Sequence, residues 1–203
     1  MSSSDPLKAA VARLKAGGVA AFPTDTVSGI GCLANLAEAV RAVFALKARD
    51  ADQPLTLFIA DPEQISTITG PLDARVLSIL RRGWPGALTA VLPSAVAWPE
   101  GVGRAGTIGV RVPAHPVPRA LVELAGSPLA TTSANPSGEA PWRDAAEAAA
   151  RWGDRVVAVP GESGAVPSTV VDLTAWPPRV LREGGVSPAT LLEWVRDADG
   201  FSR

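Results

Sequence analysis

Apolar residues recur along this chain in two rhythms, helical spacing and short unbroken runs, and the two take turns from end to end. Asp5-Pro6 predicts a helix start, with a carboxylate at the N-cap and proline at the first helical position. Leu7, Ala10, Val11 and Leu14 then recur at helical spacing until Gly17-Gly18 stops the run. Residues 19–22 are apolar and bounded by glycine and proline, which predicts a buried strand. Asn35 is the predicted cap of a second helix through Lys47, with Val40, Val43 and Phe44 on its inner face. Further strands are predicted over 55–60, 87–92, 107–112, 129–132, 156–159, 169–173 and 179–181. Helical segments are predicted to start at Asp61-Pro62 and at Pro71-Leu72, the second reaching about Arg82, and to span 117–125 and 144–152. Ser187-Pro188 caps a last amphipathic helix carrying Leu191, Leu192 and Val195.

Strands alternating with helices favour an α/β layered domain. The Pro/Gly-rich stretches 93–106 and 160–168 interrupt the pattern with no change of composition on either side. They read as loops of one domain, 1–203, and 203 residues are enough to bury a core without disulfides. The lone Cys32 excludes an intrachain disulfide. No run of about 18 apolar residues is present, and the first residues lack a signal-peptide pattern, so the expectation is a soluble, cytoplasmic protein without a membrane partner. A net charge of −1 gives no whole-surface attraction to nucleic acid. Lysine occurs only at 8, 15 and 47, and Lys47 stands apart from the two on the first helix. With His115 the only histidine, a zinc site lacks ligands. His115, between Ala114 and Pro116, reads as a turn or core histidine rather than a base, and Trp84 reads as structural.

Four polar segments follow apolar strands, where open α/β sheets favour ligand sites. Residues 22–31 supply two threonines, Asp25 and glycines; a self-bonded turn is the competing reading. Lys47 and Arg49, at a helix end, suit adjacent phosphate oxygens, or else complement the helix dipole. Arg111 lies inside an apolar strand and requires a carboxylate partner, from the protein or from a substrate; the residues slightly favour the protein. Residues 131–138 offer hydroxyls and one amide, as a phosphate-holding loop or as a plain turn. Arg182 beside Glu183 reads equally as a surface ion pair. Nucleophile elbow, Walker loop and dinucleotide fingerprint are all absent.

Taken in order, these blocks resemble the YrdC/TsaC family. Residues 23–31 match its Pro-Thr-Asp/Glu-Thr-Val-Tyr-Gly-Leu-Gly pattern, and Lys47, Arg49, Pro54 and Leu55 match its Lys-x-Arg with a following Pro-Leu. Trp-Pro-Gly-x-Leu-Thr falls on 84–89, Thr-x-x-Val-Arg-x-Pro and His-Pro on 107–116, and Ser-Ala-Asn-x-Ser-Gly on 133–138. Pro-Ser-Thr-x-Val-Asp falls on 167–172 and Leu-Arg-Glu-Gly on 181–184, so the resemblance covers nearly the whole chain.

The resemblance implies an α/β fold: a twisted mixed sheet flanked by helices, with a deep, positively lined cavity. It implies synthesis of threonylcarbamoyl-AMP and pyrophosphate from ATP, bicarbonate and L-threonine, for modification of an adenosine in tRNA. By that resemblance Lys47 and Arg49 are catalytic and, with Arg182, neutralise the triphosphate. Thr107, Ser133 and Asn135 contact phosphate or adenosine. Arg111 pairs with the threonine carboxylate, and Thr26, Thr131 and Ser168 surround its amine and hydroxyl. Mg²⁺ is expected with ATP, held chiefly by phosphate oxygens, with no protein metal site and no protein nucleophile. Further partners are tRNA or the threonylcarbamoyl-transfer complex. Two positions depart from the pattern. Ser28 replaces the usual Tyr, implying a larger pocket or weaker threonine packing, and Phe58 replaces a histidine of some members. The rival readings are a YrdC-like paralogue acting on another carbamate or carbamoyl donor, as in hydrogenase-maturation carbamoyltransferases, and an RNA-binding or ribosome-assembly factor.

Overall fold

Side chains of a β-strand point alternately to the two faces of its sheet, and in this protein that alternation sorts apolar from polar residues. The computed structural model describes residues 5–48 and 52–200. The strands are β1 (Val19–Phe22), β2 (Gly29–Leu33), β3 (Thr56–Phe58), β4 (Leu88–Pro93), β5 (Thr107–Arg111), β6 (Leu129–Ser133), β7 (Val156–Ala158), β8 (Thr169–Asp172) and β9 (Arg179–Arg182). They form one mixed sheet in the order β7-β1-β2-β6-β3-β5-β4-β8-β9. The helices are α1 (Pro6–Lys15), α2 (Ala37–Lys47), α3 (Ile65–Thr69), α4 (Ala74–Gly83), α5 (Pro116–Ala125), α6 (Ala146–Trp152) and α7 (Pro188–Gly200).

Each face of the sheet carries its own apolar cluster. Val19 and Ala21 of β1 pack in one with Val40 and Val43 of α2 and Ile79 and Leu80 of α4. The intervening Ala20 and Phe22 pack in the other with Ala10 and Leu14 of α1 and Leu121 and Val122 of α5. On β3, β5 and β4 the first cluster receives Leu57, Ile108, Val110, Leu88, Ala90 and Leu92. The residues between them, Thr56, Phe58, Gly109, Arg111 and Thr89, therefore belong to the opposite face. Register aligns this polar set: Thr56 opposes Thr131, Phe58 opposes Arg111, and Gly29 opposes Ser133.

Several elements differ from expectation. Residues 29–33 form a strand although two glycines lie in it. A Cβ on Gly29 would sit 2.9 Å from the Phe22 ring, and one on Gly31 would sit 2.8 Å from the Ala130 carbonyl oxygen. These glycines admit close neighbours within a sheet. Asn35 is not the cap of α2; Leu36 occupies that position without a side-chain bond. The helix predicted from Pro71 starts at Ala74, where the Asp73 carboxylate accepts from the Arg75 N–H at 2.8 Å. The strand expected over 55–60 is confined to Thr56–Phe58. Asp61-Pro62 opens a short 3-10 turn that leads into α3. Trp84 is structural, as expected, its indole N–H donating to the Leu88 carbonyl at 2.8 Å. Cys32 is buried in β2, and burial pushes its thiol up to about 12. No helix among the described residues is long and apolar enough to cross a membrane.

His115 is the N-cap of α5, its Nδ1 accepting from the Val117 N–H at 3.2 Å. A cap that accepts through Nδ1 must be unprotonated there, and burial lowers its pKa from 6.5 against the opposing pull of Asp25. The unfolded chain thus takes up a proton before the folded chain does. The stabilisation is complete above about pH 6.5 and declines as pH falls towards the folded value. Urea midpoints at about pH 7.5 and about pH 5.5 are expected to differ less in His115→Asn, which caps without titrating, than in the parent.

Candidate functional site

The turn joining β1 to β2 is held by its own hydroxyls. Thr24 Oγ1 donates to the Val27 carbonyl at 2.7 Å and accepts from the Thr26 N–H at 3.0 Å. With that proton committed, the 3.0 Å contact between the two threonine hydroxyls has Thr26 as donor. A second loop braces the turn from behind. Ser163 Oγ accepts from the Thr24 N–H at 3.1 Å and lies 2.9 Å from Ser28 Oγ. Ser28 is fully buried and is not on the wall of the hollow described below. Its hydroxyl partner there is Ser163.

Arg111 ends β5 at 3% exposure. Its Nη2 meets Asp25 Oδ2 at 2.7 Å, its Nη1 donates to Thr26 Oγ1 at 2.7 Å, and its Nε donates to the Gly86 carbonyl at 2.8 Å. The guanidinium lies over the Phe58 ring, 5.5 Å from its centroid. The other Asp25 oxygen accepts from the Ala114 N–H at 3.1 Å. Burial lowers the Arg111 pKa; Asp25 opposes that shift, and the charge of Arg182 adds to it. The carboxylate required by the sequence is thus a protein group, Asp25.

At the other end of β6, Lys47 finishes α2 at 2% exposure. Its ammonium donates to the Ser133 carbonyl and, at 3.2 Å, to Asn135 Oδ1. The Asn135 amide group donates to the Pro136 and Glu139 carbonyls at 2.8 and 2.7 Å, which shapes the loop around the lysine. On the far side, Arg182 donates from Nη2 to the Ser168 carbonyl at 2.8 Å and to its Oγ at 3.1 Å. Among the described residues it makes no ion pair with Glu183. Partial burial lowers its pKa. Gly184 makes this approach possible, because a Cβ there would sit 2.3 Å from the Pro167 carbonyl oxygen.

These elements enclose a hollow of about 240 Å³. Thr26, Arg111, Thr131, Ser133, Ser168 and Arg182 all line it, so six of the residues expected at the site come together. Lys47 and Asn135 stand behind Ser133 rather than on the wall. Thr107 is at the opposite end of β5, its hydroxyl donating to the Arg104 carbonyl at 2.7 Å, and it lines a second hollow of about 410 Å³. The two hollows share Pro54. Arg49 lies outside the described residues. Three contributors were not singled out from sequence: Asp25 as the partner of Arg111, Ser163 behind the turn, and Thr89, whose hydroxyl is 2.8 Å from Ser168 Oγ. Asp25 carried a signal as the carboxylate of a strand-end polar segment and Thr89 as the last residue of the 84–89 block, whereas Ser163 carried none.

Residues 12–184 match the family model Sua5/yciO/yrdC, described as telomere recombination. The chain belongs to this family. The Sua5/yciO/yrdC membership agrees with the resemblance carried by the seven sequence blocks. The chain is 38% identical over 184 residues to a threonylcarbamoyl-AMP synthase of Pyrococcus abyssi, covering 89% of this chain and 54% of that protein. It therefore spans about half the length of that relative. It is 43% identical over 157 residues to a threonylcarbamoyl-AMP synthase of Halorhodospira halophila, covering 76% of this chain and 82% of the relative. The crystal structure of P. abyssi Sua5 complexed with L-threonine superposes with a TM-score of 0.86 at 36% identity, over 93% of this chain and 57% of that one.

Removal of Asp25 leaves the Arg111 guanidinium buried beside a ring and uncompensated. Asp25→Ala is expected to lower unfolding free energy by about 3 kcal/mol. In a double-mutant cycle read by urea unfolding, Asp25→Ala should cost only about 1 kcal/mol in an Arg111→Met background, the scale of the lost Ala114 hydrogen bond.

Proposed function

We propose that this chain is an L-threonylcarbamoyladenylate synthase, a nucleotidyltransferase built as one domain, acting on ATP, bicarbonate and L-threonine in the cytoplasm. The carrying observation is the division of hydrogen-bonding roles around the hollow. Thr26 gives its proton to Thr24, and Thr131 gives its own to the Thr56 carbonyl at 2.9 Å, so both hydroxyls face a ligand as acceptors. Arg111 and Arg182 line the same space as donors. Acceptors on one side and cationic donors on the other suit a zwitterionic amino acid, its ammonium at Thr26 and Thr131 and its carboxylate at the arginines, which gives Arg182 a role at the small substrate in place of the triphosphate contact implied by the resemblance. The names of the relatives, and the L-threonine bound by the P. abyssi protein, support the same reading.

The nucleotide takes the side of the hollow nearest Lys47. Ser133, with Lys47 and Asn135 behind it, meets the phosphates; for Arg49, outside the described residues, the same role rests on the resemblance alone. Passage across Pro54 into the second hollow brings the nucleoside towards Thr107. Mg²⁺ arrives as part of the ATP substrate, bound chiefly by phosphate oxygens. The amine adds to bicarbonate with loss of water, and the resulting carbamate oxygen attacks the α-phosphorus as pyrophosphate leaves. The chemistry asks the protein for alignment and positive charge and not for a covalent intermediate. The product is a mixed anhydride, and its threonylcarbamoyl group passes to tRNA through a separate transfer complex.

Pyrophosphate release from ATP and bicarbonate, measured with each amino acid in turn, tests the assignment. Release with threonine and not with valine or leucine is expected; release that ignores the amino acid, or none at all, overturns it. Lys47→Met should reduce release by about a hundredfold or more, the scale for loss of an electrostatic stabiliser. It should also lower stability by about 1–3 kcal/mol in urea unfolding, because two buried acceptors lose their donor.

A further inference from the structure

We propose that Thr89 is a positioning residue for the small carboxylate-type substrate, acting through Ser168 and Arg182. The inference rests on the proposed function and adds a residue to it. Thr89 is 3% exposed on β4 and lines the hollow. Since Ala90 opposes Val110, the next step of the register brings Thr89 beside Arg111. On its other side β4 pairs with β8, which Ser168 immediately precedes. Thr89 thus lies on β4, which with β8 separates the strands that carry the two arginines of the hollow.

Its hydroxyl is the polar atom that ties these groups together. A buried hydroxyl without a partner is costly, and Ser168 Oγ at 2.8 Å is the partner found. Ser168 Oγ also accepts from Arg182 Nη2 at 3.1 Å. If Thr89 donates to it as well, Ser168 accepts twice and its own proton is left for a ligand oxygen; if Ser168 donates instead, the Thr89 proton is the one left over, so either direction leaves the pair one donor. Arg182 Nη1 has no hydrogen-bond acceptor among the described residues, which leaves a second donor. The field of Arg182 already reaches Arg111. Asp25 is the only carboxylate paired with either guanidinium among the described residues, so this end of the hollow keeps an excess positive charge. Donors in this arrangement suit a planar oxyanion, which the reaction supplies twice, as the amino-acid carboxylate and as bicarbonate.

Thr89→Val keeps the shape and removes the hydroxyl, whereas Thr89→Ser keeps the hydroxyl; Thr89→Ala replaces the valine variant if that one does not fold. KM for L-threonine, bicarbonate and ATP is measured by pyrophosphate release, each with the other two saturating. Thr89→Val is expected to raise KM for threonine or for bicarbonate about tenfold, the scale of one hydrogen bond, with KM for ATP within about twofold. Thr89→Ser is expected to restore the parent value, and whichever KM moves identifies the anion. Equal increases for all three substrates, an increase for ATP alone, no change in Thr89→Val, or no recovery in Thr89→Ser overturns the proposal. An inactive parent protein overturns the assigned reaction instead. Calorimetric titration with L-threonine and with bicarbonate then decides the role of Thr89: weaker binding to Thr89→Val than to Thr89→Ser supports it, and equal binding overturns it.

Discussion

The candidate site depends on burying the positive charge of Arg111 at the end of β5. A guanidinium at 3% exposure must have its charge matched and its N–H groups bonded. The protein meets this need with Asp25 and Thr26 of the β1–β2 turn and with the Gly86 carbonyl ahead of β4. The same contacts draw the β1–β2 turn, the start of β4 and the β5–α5 corner towards one point. Once Thr26 is placed by Arg111 and Thr24, the direction of its proton follows, and with it the side of the hollow that accepts hydrogen bonds. Charge compensation in the protein and recognition of a ligand are two results of one set of bonds.

A second layer of contacts keeps this arrangement from shifting. Ser163 reaches from a loop more than a hundred residues downstream to bond the back of the turn and Ser28. Lys47 joins the end of α2 to the end of β6. Arg182 joins β9 to the residue before β8. The first two ties join segments 139 and 86 residues apart, whereas the third closes the neighbouring β8–β9 pair.

Much of this was legible in the sequence, and the misses have identifiable causes. Runs with a buried apolar face, such as α4 and β4, were visible for that reason. The 29–33 strand was not, because its glycines look like a turn until the Phe22 ring and the Ala130 carbonyl are seen against them. The need for a carboxylate at Arg111 followed from burial alone, whereas its identity as Asp25 required the fold. Thr107 shares a strand with Arg111, yet faces a different hollow, because four residues of strand separate them by about 13 Å. Ser28 stands out as a departure from a family pattern, and its hydrogen-bond partner, Ser163, is a residue with no signal of its own. Thr89 belongs to the 84–89 block, yet its role was not readable there: a threonine in a strand is ordinary until its neighbour across the sheet is known.

Gly184 shows how unequal neighbouring positions can be in what they tolerate. The side chains of β9 are exposed, and Val180 and Leu181 touch little that the hollow needs. Three residues beyond Leu181, a single methyl group would collide with the backbone beside Ser168. Drift in the outer strand can therefore pass without effect, while the smallest possible enlargement at its exit would push Arg182 away from the wall it completes.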